Sequence, residues 1–385
     1  MSLVAITGCF SYQSEEVLGC VRRGIGLLGG PGAFVSPGEK ILLKPNMLAA
    51  RAPELAVTTH PQVFAAVAAV FQEAGAVLSY ADSPGYDSFA HAARKTGIAE
   101  AAQRLGVSEA DFTNSIPATL SGADGETLRF PIAKGVFDAD GLISLSKMKT
   151  HGMTRVTGAV KNQLGCVVGF EKARLHFRNP TPRKFCACLA AITKIVSPRL
   201  YIMDGILAME GEGPSGGSPV PMNVLLFSRD PVALDCIFCK LIGLPPHCVP
   251  TIAEGAALGL GTQDEAAITL AGDNIEDFIK PDFDVVRRPP GGEAILFRPL
   301  RPFRNLIIPR PVIHSGKCKK CGVCVEACPA EPEKALRFQS RGRPPRYNYS
   351  LCIRCYCCQE MCPHRAISVR TPFAGRVLAR LAGKH

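Results

Sequence analysis

Nine of the chain's 17 cysteines fall between Cys318 and Cys362. Eight of the nine form two runs of one spacing, Cys318-x2-Cys321-x2-Cys324-x3-Cys328-Pro329 and Cys352-x2-Cys355-x2-Cys358-x3-Cys362-Pro363. A spacing that occurs twice is not a chance grouping of thiols. Three thiolates two residues apart let one tight loop wrap a face of a metal–sulfur cubane, with backbone N–H groups turned toward the sulfurs. Pro329 and Pro363 fix φ and remove a donor just beyond each run. Structural zinc is the competing chemistry. Zinc sites use close pairs of ligands separated by a longer gap, and a third cysteine at the same short spacing has no place there. Cys357 is a ninth thiol that the spacing does not need, either a spare small residue or a site of oxidation.

A second set of residues lies far upstream, and each group follows a segment that reads as a strand. Lys44-Pro-Asn46 follows Lys40–Lys44, and Asp82-Ser-Pro-Gly85 follows Ala76–Ala81. Ser146-Lys-Met-Lys-Thr-His151 follows Gly141–Leu145 and runs on to Thr154-Arg-Val-Thr-Gly-Ala-Val-Lys-Asn162. Asp204-Gly and Glu210-Gly-Glu-Gly-Pro-Ser-Gly-Gly217 follow Leu200–Met203. Leu3–Thr7 and Val224–Phe227 read as further strands. Glu15–Arg23, Gln62–Ala74, Phe89–Leu105 and Val232–Leu241 read as helices between them. Such alternation predicts a helix-covered, mostly parallel α/β sheet. Open sheets of this kind bind ligands beyond the carboxyl ends of their strands, so four polar loops there predict one shared cleft.

Within that cleft Lys147, Lys149, His151 and Lys161 would form an anion site. His151 is the residue to act as general acid or base near neutral pH, with Lys149 and Lys161 as its catalytic companions. Lys44, Asn46, Asp82, Thr157 and Asn162 are the residues to hold a small-molecule substrate. Each has a plainer reading as well. A lone histidine is more often a hydrogen-bonded structural residue, and strand-end loops are polar in any case. Glu210 and Glu212 suit a divalent cation or simple solvation. The charged stretch Glu171–Arg178, with Arg174 and His176, reads as a lid or a surface turn. Cys166, Cys186 and Cys188 have apolar neighbours and are expected to be buried. Gly24-Ile-Gly26-Leu-Leu-Gly29 has the letters of a dinucleotide fingerprint, but it follows a helix rather than a strand and leads into Gly-Pro-Gly. It reads as a loop, and nicotinamide binding there is rejected. No phosphate-binding loop of the Gly-x4-Gly-Lys-Ser/Thr type occurs.

The cysteine runs resemble the bacterial ferredoxin motif for two 4Fe–4S clusters, in which the fourth cysteine of each run serves the other cluster. The resemblance implies one cluster on Cys318, Cys321, Cys324 and Cys362, and a second on Cys352, Cys355, Cys358 and Cys328. A basic loop, Arg341-Gly-Arg-Pro-Pro-Arg346, separates the two halves and departs from the compact ferredoxin pattern. Upstream, Leu43-Lys-Pro-Asn, Ala81-Asp-Ser-Pro-Gly, Lys149-Thr-His-Gly, Thr157-Gly-Ala-Val-Lys-Asn-Gln-Leu-Gly165, Met203-Asp-Gly-Ile, Glu210-Gly-Glu-Gly-Pro-Ser-Gly-Gly217 and Asp230-Pro-Val-Ala-Leu-Asp235 resemble domain-of-unknown-function family 362. That resemblance covers about residues 1–280 and implies a prokaryotic iron–sulfur protein of redox character, without naming a reaction.

The chain has 385 residues, 47% of them hydrophobic and 20% charged, enough for a sizeable core and too apolar for disorder. The expected division is an α/β domain over 1–297, a Pro/Arg-rich linker over 298–312, a small α+β ferredoxin-like domain over 313–370 and a basic amphipathic tail over 371–385. The linker should be stiff and extended. The tail should dock on its own protein rather than on a membrane. No signal peptide or membrane-spanning stretch is legible, which predicts a cytoplasmic protein whose clustered thiols bind metal. Residues 298–385 hold 18 Lys/Arg against four acids, while the chain's formal charge is +11. The basic excess therefore belongs to the cysteine-rich end. It points to an acidic electron-transfer partner such as a ferredoxin or flavodoxin, with nucleic acid as the rival. The expected function is passage of electrons through the clusters to or from a small anionic substrate. A pure electron carrier and a non-redox enzyme with structural clusters are the alternatives.

Overall fold

A computed structural model describes residues 1–121, 127–169, 171–290 and 304–381. The first part alternates strands and helices in chain order. These are β1 (Ser2–Gly8), α1 (Ser14–Leu27), β2 (Lys40–Pro45), α2 (Pro61–Glu73), β3 (Val77–Tyr80), α3 (Phe89–Lys95), α4 (Ile98–Leu105) and β4 (Ser108–Glu109). A hairpin of β5 (Ser115–Ser121) and β6 (Thr127–Ala133) follows, then α5 (Lys134–Phe137), β7 (Gly141–His151), β8 (Arg155–Thr157) and α6 (Ala159–Asn162). The part closes with α7 (Glu171–Arg178), α8 (Pro182–Val196), β9 (Leu200–Glu210), β10 (Ser218–Ser228), α9 (Pro231–Leu241), α10 (Pro250–Ala257) and β11 (Ile268–Gly272).

One large sheet runs in the order β11-β1-β10-β9-β7-β2-β3-β4, with β8 paired to β7. It is mostly parallel: β9, β7, β2, β3 and β4 run together, as do β1 and β11, while β10 lies antiparallel between β1 and β9. Both faces are buried, so successive residues of a strand enter different cores. Leu42, Leu142 and Met203 pack with α8, α9 and α10, whereas Leu43, Ile143 and Ile202 pack with α1, α2 and α4. Such two-sided burial explains why these strands read as apolar runs rather than as alternation.

Several expectations need correction. Gly24 and Gly26 lie inside α1, not in a loop, and Gly24 is glycine because Phe227 packs where a Cβ would stand. The single helix expected over Phe89–Leu105 is broken at Gly97, whose φ of 75° is open to glycine. The strand expected over Gly141–Leu145 continues to His151, so Lys147, Lys149 and His151 sit on the strand and not in a loop after it.

The second part is small. It contains β12 (Arg310–Ile313), β13 (Leu336–Arg337), β14 (Arg346–Tyr347) and β15 (Ile367–Arg370), with helical turns at Val323–Glu326 and Cys357–Glu360. β12 pairs antiparallel with β15, and β13 with β14. The expected extended linker is not extended throughout: Arg304–Ile307 forms a helical turn and Arg310–Ile313 is a strand, while 298–303 lies outside the described residues. The terminal helix Phe373–Leu381 meets that turn at Gly375, where a Cβ would strike the Ile307 carbonyl. Among the described residues no helix is long and apolar enough to cross a membrane.

Candidate functional site

The carboxyl ends of β2, β3 and β7 bring polar side chains together under α6. Lys44 at the end of β2 donates to Asp82 Oδ1 at 2.8 Å, with both side chains buried. The other oxygen of Asp82 accepts from the Met47 N–H at 2.6 Å. Gly165 passes so close that a Cβ there would overlap the Asp82 carboxylate. Asn46 donates to Asn162 Oδ1 at 3.0 Å and accepts from Lys149 Nζ at 2.8 Å. Asn162 and Gln163 both donate to the Ser144 hydroxyl. Lys44, Asn46, Asp82, Lys149 and Asn162 therefore form one hydrogen-bonded network. Lys147 does not join it, because Asp204 at 2.7 Å and the Tyr12 hydroxyl at 3.0 Å hold its amine elsewhere. Thr157 is buried opposite Lys149 in the β7–β8 pairing.

His151 was expected to face the cleft as an acid or base. It lies behind the cleft instead. Its Nδ1 accepts from the backbone N–H groups of Met153 and Thr154 at 3.0 and 3.2 Å, so the proton of the neutral ring is on Nε2. Nε2 lies 2.9 Å from Glu360 Oε1 without aligning as a hydrogen bond. Burial, together with the nearby Lys161 and Lys149 ammonium groups, pulls the His151 pKa down to about 4. Burial would raise the Glu360 carboxyl, but the facing histidines and Lys161 outweigh it and hold the group ionised.

Glu360 belongs to the cysteine-rich part, so the two parts of the chain share this site. A cleft enclosing about 790 Å³, partly open to solvent, lies between them. The α/β side contributes Asn46, Asp82, Lys161, Asn162, Lys172 and His176. The cysteine-rich side contributes Ala327, Cys357, Glu360 and Met361. Further bonds close the junction. Gln359 donates to the Glu212 carbonyl at 2.8 Å, Ser215 to the Glu360 carbonyl at 2.6 Å, and the Val369 N–H to the Glu212 carboxylate at 3.1 Å. Glu212 thus joins the two parts instead of being solvated, and Glu210 accepts from the Asp284 N–H at 2.9 Å.

α7 is neither a lid nor a bare surface turn. His176 is buried and stacked on Phe185, with ring centroids 4.0 Å apart. Burial and Lys161 lower its pKa to about 4. Lys172, on the same helix, donates to the Ser83 carbonyl at 2.8 Å, and burial lowers its amine to about 8. Lys161 is lowered too, with burial the first cause. Glu360, Met361 and Lys172 were missed in the sequence. An acid between Cys358 and Cys362 was the available signal for Glu360, since a charge inside a cysteine run must find a partner when buried.

The cysteines line two further small cavities. Cys318, Cys321, Cys324 and Cys362 line one, and Cys328, Cys352, Cys355 and Cys358 line the other. The two loops share backbone form. Lys320 and Gly322 have positive φ, as do Arg354 and Tyr356 at the same places beside Cys355. Among the described residues no three His, Cys, Asp or Glu side chains close on a single metal ion.

A family model described as "Domain of unknown function (DUF362)" matches residues 41–240, and one described as "4Fe-4S dicluster domain" matches 310–363. A thylakoid-associated protein of Synechocystis sp. is 38% identical over 251 residues, which are 65% of this chain and 77% of that protein. Pyruvate synthase subunit PorD of Thermotoga maritima is 36% identical over 61 residues, 16% of this chain and 58% of that subunit. Among solved structures, the lactate racemase apoprotein of Thermoanaerobacterium thermosaccharolyticum aligns with a TM-score of 0.41 and 12% identity, over 63% of this chain and 57% of that chain.

Proposed function

The chain belongs to the family described as domain of unknown function 362, and on that premise we propose that it is a redox enzyme acting on a small anionic substrate in the cleft. The carboxyl-terminal part is a 4Fe–4S dicluster domain. Two clusters would be held by the two cysteine sets, Cys318, Cys321, Cys324 and Cys362, and Cys328, Cys352, Cys355 and Cys358. The fit rests on the cavities: each is lined by four cysteines, three from one run and one crossing from the other. When bound, such clusters supply one-electron transfer.

The observation that carries the enzyme reading is the shared cleft. Lys161 and His176 on one side face Cys357, Glu360 and Met361, residues from within the second cysteine run, on the other. A carrier without a substrate has no use for a cleft lined by charged groups against its redox module. In this reading Lys161 meets the substrate, Asn46, Asp82 and Asn162 line the cleft, and Lys44, Lys149, Thr157 and His151 position them from behind. The similarity of the last part to a pyruvate synthase subunit supports electron transfer and leaves the pure carrier as the second reading.

Anaerobically purified protein should contain about eight iron and eight sulfide per chain. Cys328→Ser should alter only the centre that shares Cys352, Cys355 and Cys358. Full zinc occupancy without acid-labile sulfide would sink the cluster assignment. Mass spectrometry of the co-purifying small molecule tests the cleft, and an anion lost with Lys161→Ala is the expected result.

A further inference from the structure

We propose that the cleft takes a small monocarboxylate with an apolar body, its carboxylate held between the Lys161 ammonium and the His176 ring. This rests on the cleft being the substrate site and adds the class of ligand. Two groups there are placed to bind, each near Glu360, but neither the Lys161 amine nor the His176 Nδ1 makes a direct hydrogen bond among the described residues. Lys161 is 8% exposed, and its amine makes no hydrogen bond or ion pair with any described residue. His176 is 4% exposed, and its Nδ1 has no hydrogen-bond partner. Buried polar groups are ordinarily satisfied, so the unpartnered His176 Nδ1, in a cleft also lined by an ammonium that makes no hydrogen bond, points to a ligand.

Apart from Glu360, whose Oε1 also lacks a hydrogen-bond partner, the other charged and amide groups of the cleft are engaged. Asp82 is taken by Lys44, Asn162 by Asn46 and Ser144, and Lys172 by Ser83. One ammonium and one ring N–H match the two oxygens of a carboxylate. A phosphate needs more donors than these two. The charge of the cleft also selects. Asp82 and Glu360 both line it, so a second negative charge on the ligand would be repelled. Leu48, Leu164, Ala173 and Met361 also line the cleft and offer apolar contact to the rest of the molecule.

The test titrates butyrate, butyramide, succinate and inorganic phosphate into the anaerobic, cluster-loaded full chain by calorimetry. Butyrate should bind, and each of the other three should bind about tenfold more weakly or worse. Lys161→Met and His176→Phe should each weaken butyrate about tenfold while the visible spectrum of the clusters stays unchanged. If one variant fails to fold, the other variant and the parent titrations decide. Succinate or phosphate binding more tightly than butyrate overturns the monocarboxylate and leaves the anionic cleft standing. Butyramide matching butyrate, or both variants keeping parental affinity, overturns the assigned contacts. No binding of any of the three anions overturns this inference and the substrate reading together, while iron and sulfide content judges the redox reading separately.

Discussion

Tyr347 donates its hydroxyl to Cys358 Sγ at 3.2 Å. Burial, followed by the neighbouring Cys358 thiol, raises its pKa and keeps the phenol protonated. A hydrogen bond to a ligand sulfur favours the reduced, more negative form of a cluster. Tyr347→Phe should therefore lower the potential of the centre containing Cys358 by tens of millivolts, on the order expected from losing one such bond, and leave the other centre alone. An EPR-monitored redox titration reads both, and equal potentials in parent and variant would remove Tyr347 from the tuning of the cluster. The Lys44–Asp82 pair makes a second claim at this scale. Asp82→Ala leaves a buried ammonium without its carboxylate and should cost about 3–5 kcal/mol, read as a lowered Tm under anaerobic conditions. Both partners were legible in sequence, because each follows an apolar run that could only be a buried strand. Glu360 and His176 were not, because their value comes from which part of the chain they face, and no local spacing encodes that.

α6 has four residues and carries Lys161 and Asn162, so something outside it must fix its place. Asp235 on α9 does so. Its carboxylate accepts from the Ala159 and Val160 N–H groups at 2.6 and 3.3 Å, and Gly158 leaves room for it. Burial raises the Asp235 pKa from 3.8 to about 7, against these backbone bonds. Between those values the folded chain holds a proton that the unfolded chain has released, so this group makes stability fall as pH rises. His60, His151 and His176 act in the opposite sense. Burial takes each from 6.5 to about 4, so the unfolded chain holds the extra protons and stability rises with pH across that window. Asp235→Asn isolates the first effect: its Tm relative to the parent should climb from pH 4.5 to pH 7.5. A constant difference across that range would deny the shifted carboxyl. The Asp230-Pro-Val-Ala-Leu-Asp235 motif was visible, but its tie to α6 was not, since 76 residues separate Asp235 from Ala159. The strand centres were equally visible. Their true ends were not, because β7 runs on through Lys147, Lys149 and His151, which are buried against Asp204, Asn46 and Glu360, residues remote in sequence.

The charge of the whole molecule is divided as the sequence suggested, and the structure refines where it is presented. Residues 298–385 carry 18 Lys/Arg against four acids. Two oxidised clusters, each about −2 with its thiolates, would leave that part at about +10. Lys319 and Lys320 are exposed beside Cys321, itself exposed, and Arg341, Arg343 and Arg346 are exposed on the loop between the runs. Arg354 is withdrawn from this rim by its bond to Asn305 at 2.6 Å. The tyrosines that could stack on bases are likewise committed: Tyr347 to Cys358, Tyr349 to the Pro311 carbonyl and Tyr356 to the Pro309 carbonyl. Single-stranded nucleic acid binds through free aromatic faces in a basic groove, and the exposed Phe338 is one candidate face; an acidic protein is the partner we propose for this rim. A reduced acidic ferredoxin should then transfer electrons faster than a basic carrier of similar potential at low salt. Its advantage should shrink as the Debye length falls from about 30 Å at 0.01 M to about 8 Å at 0.15 M. Replacing Lys319 and Lys320 with Glu should slow the acidic carrier and not the basic one, because the steering charge lies beside the exposed Cys321. Stopped-flow rates across ionic strength decide it, and equal rates for the two carriers at low salt would refute the docking face.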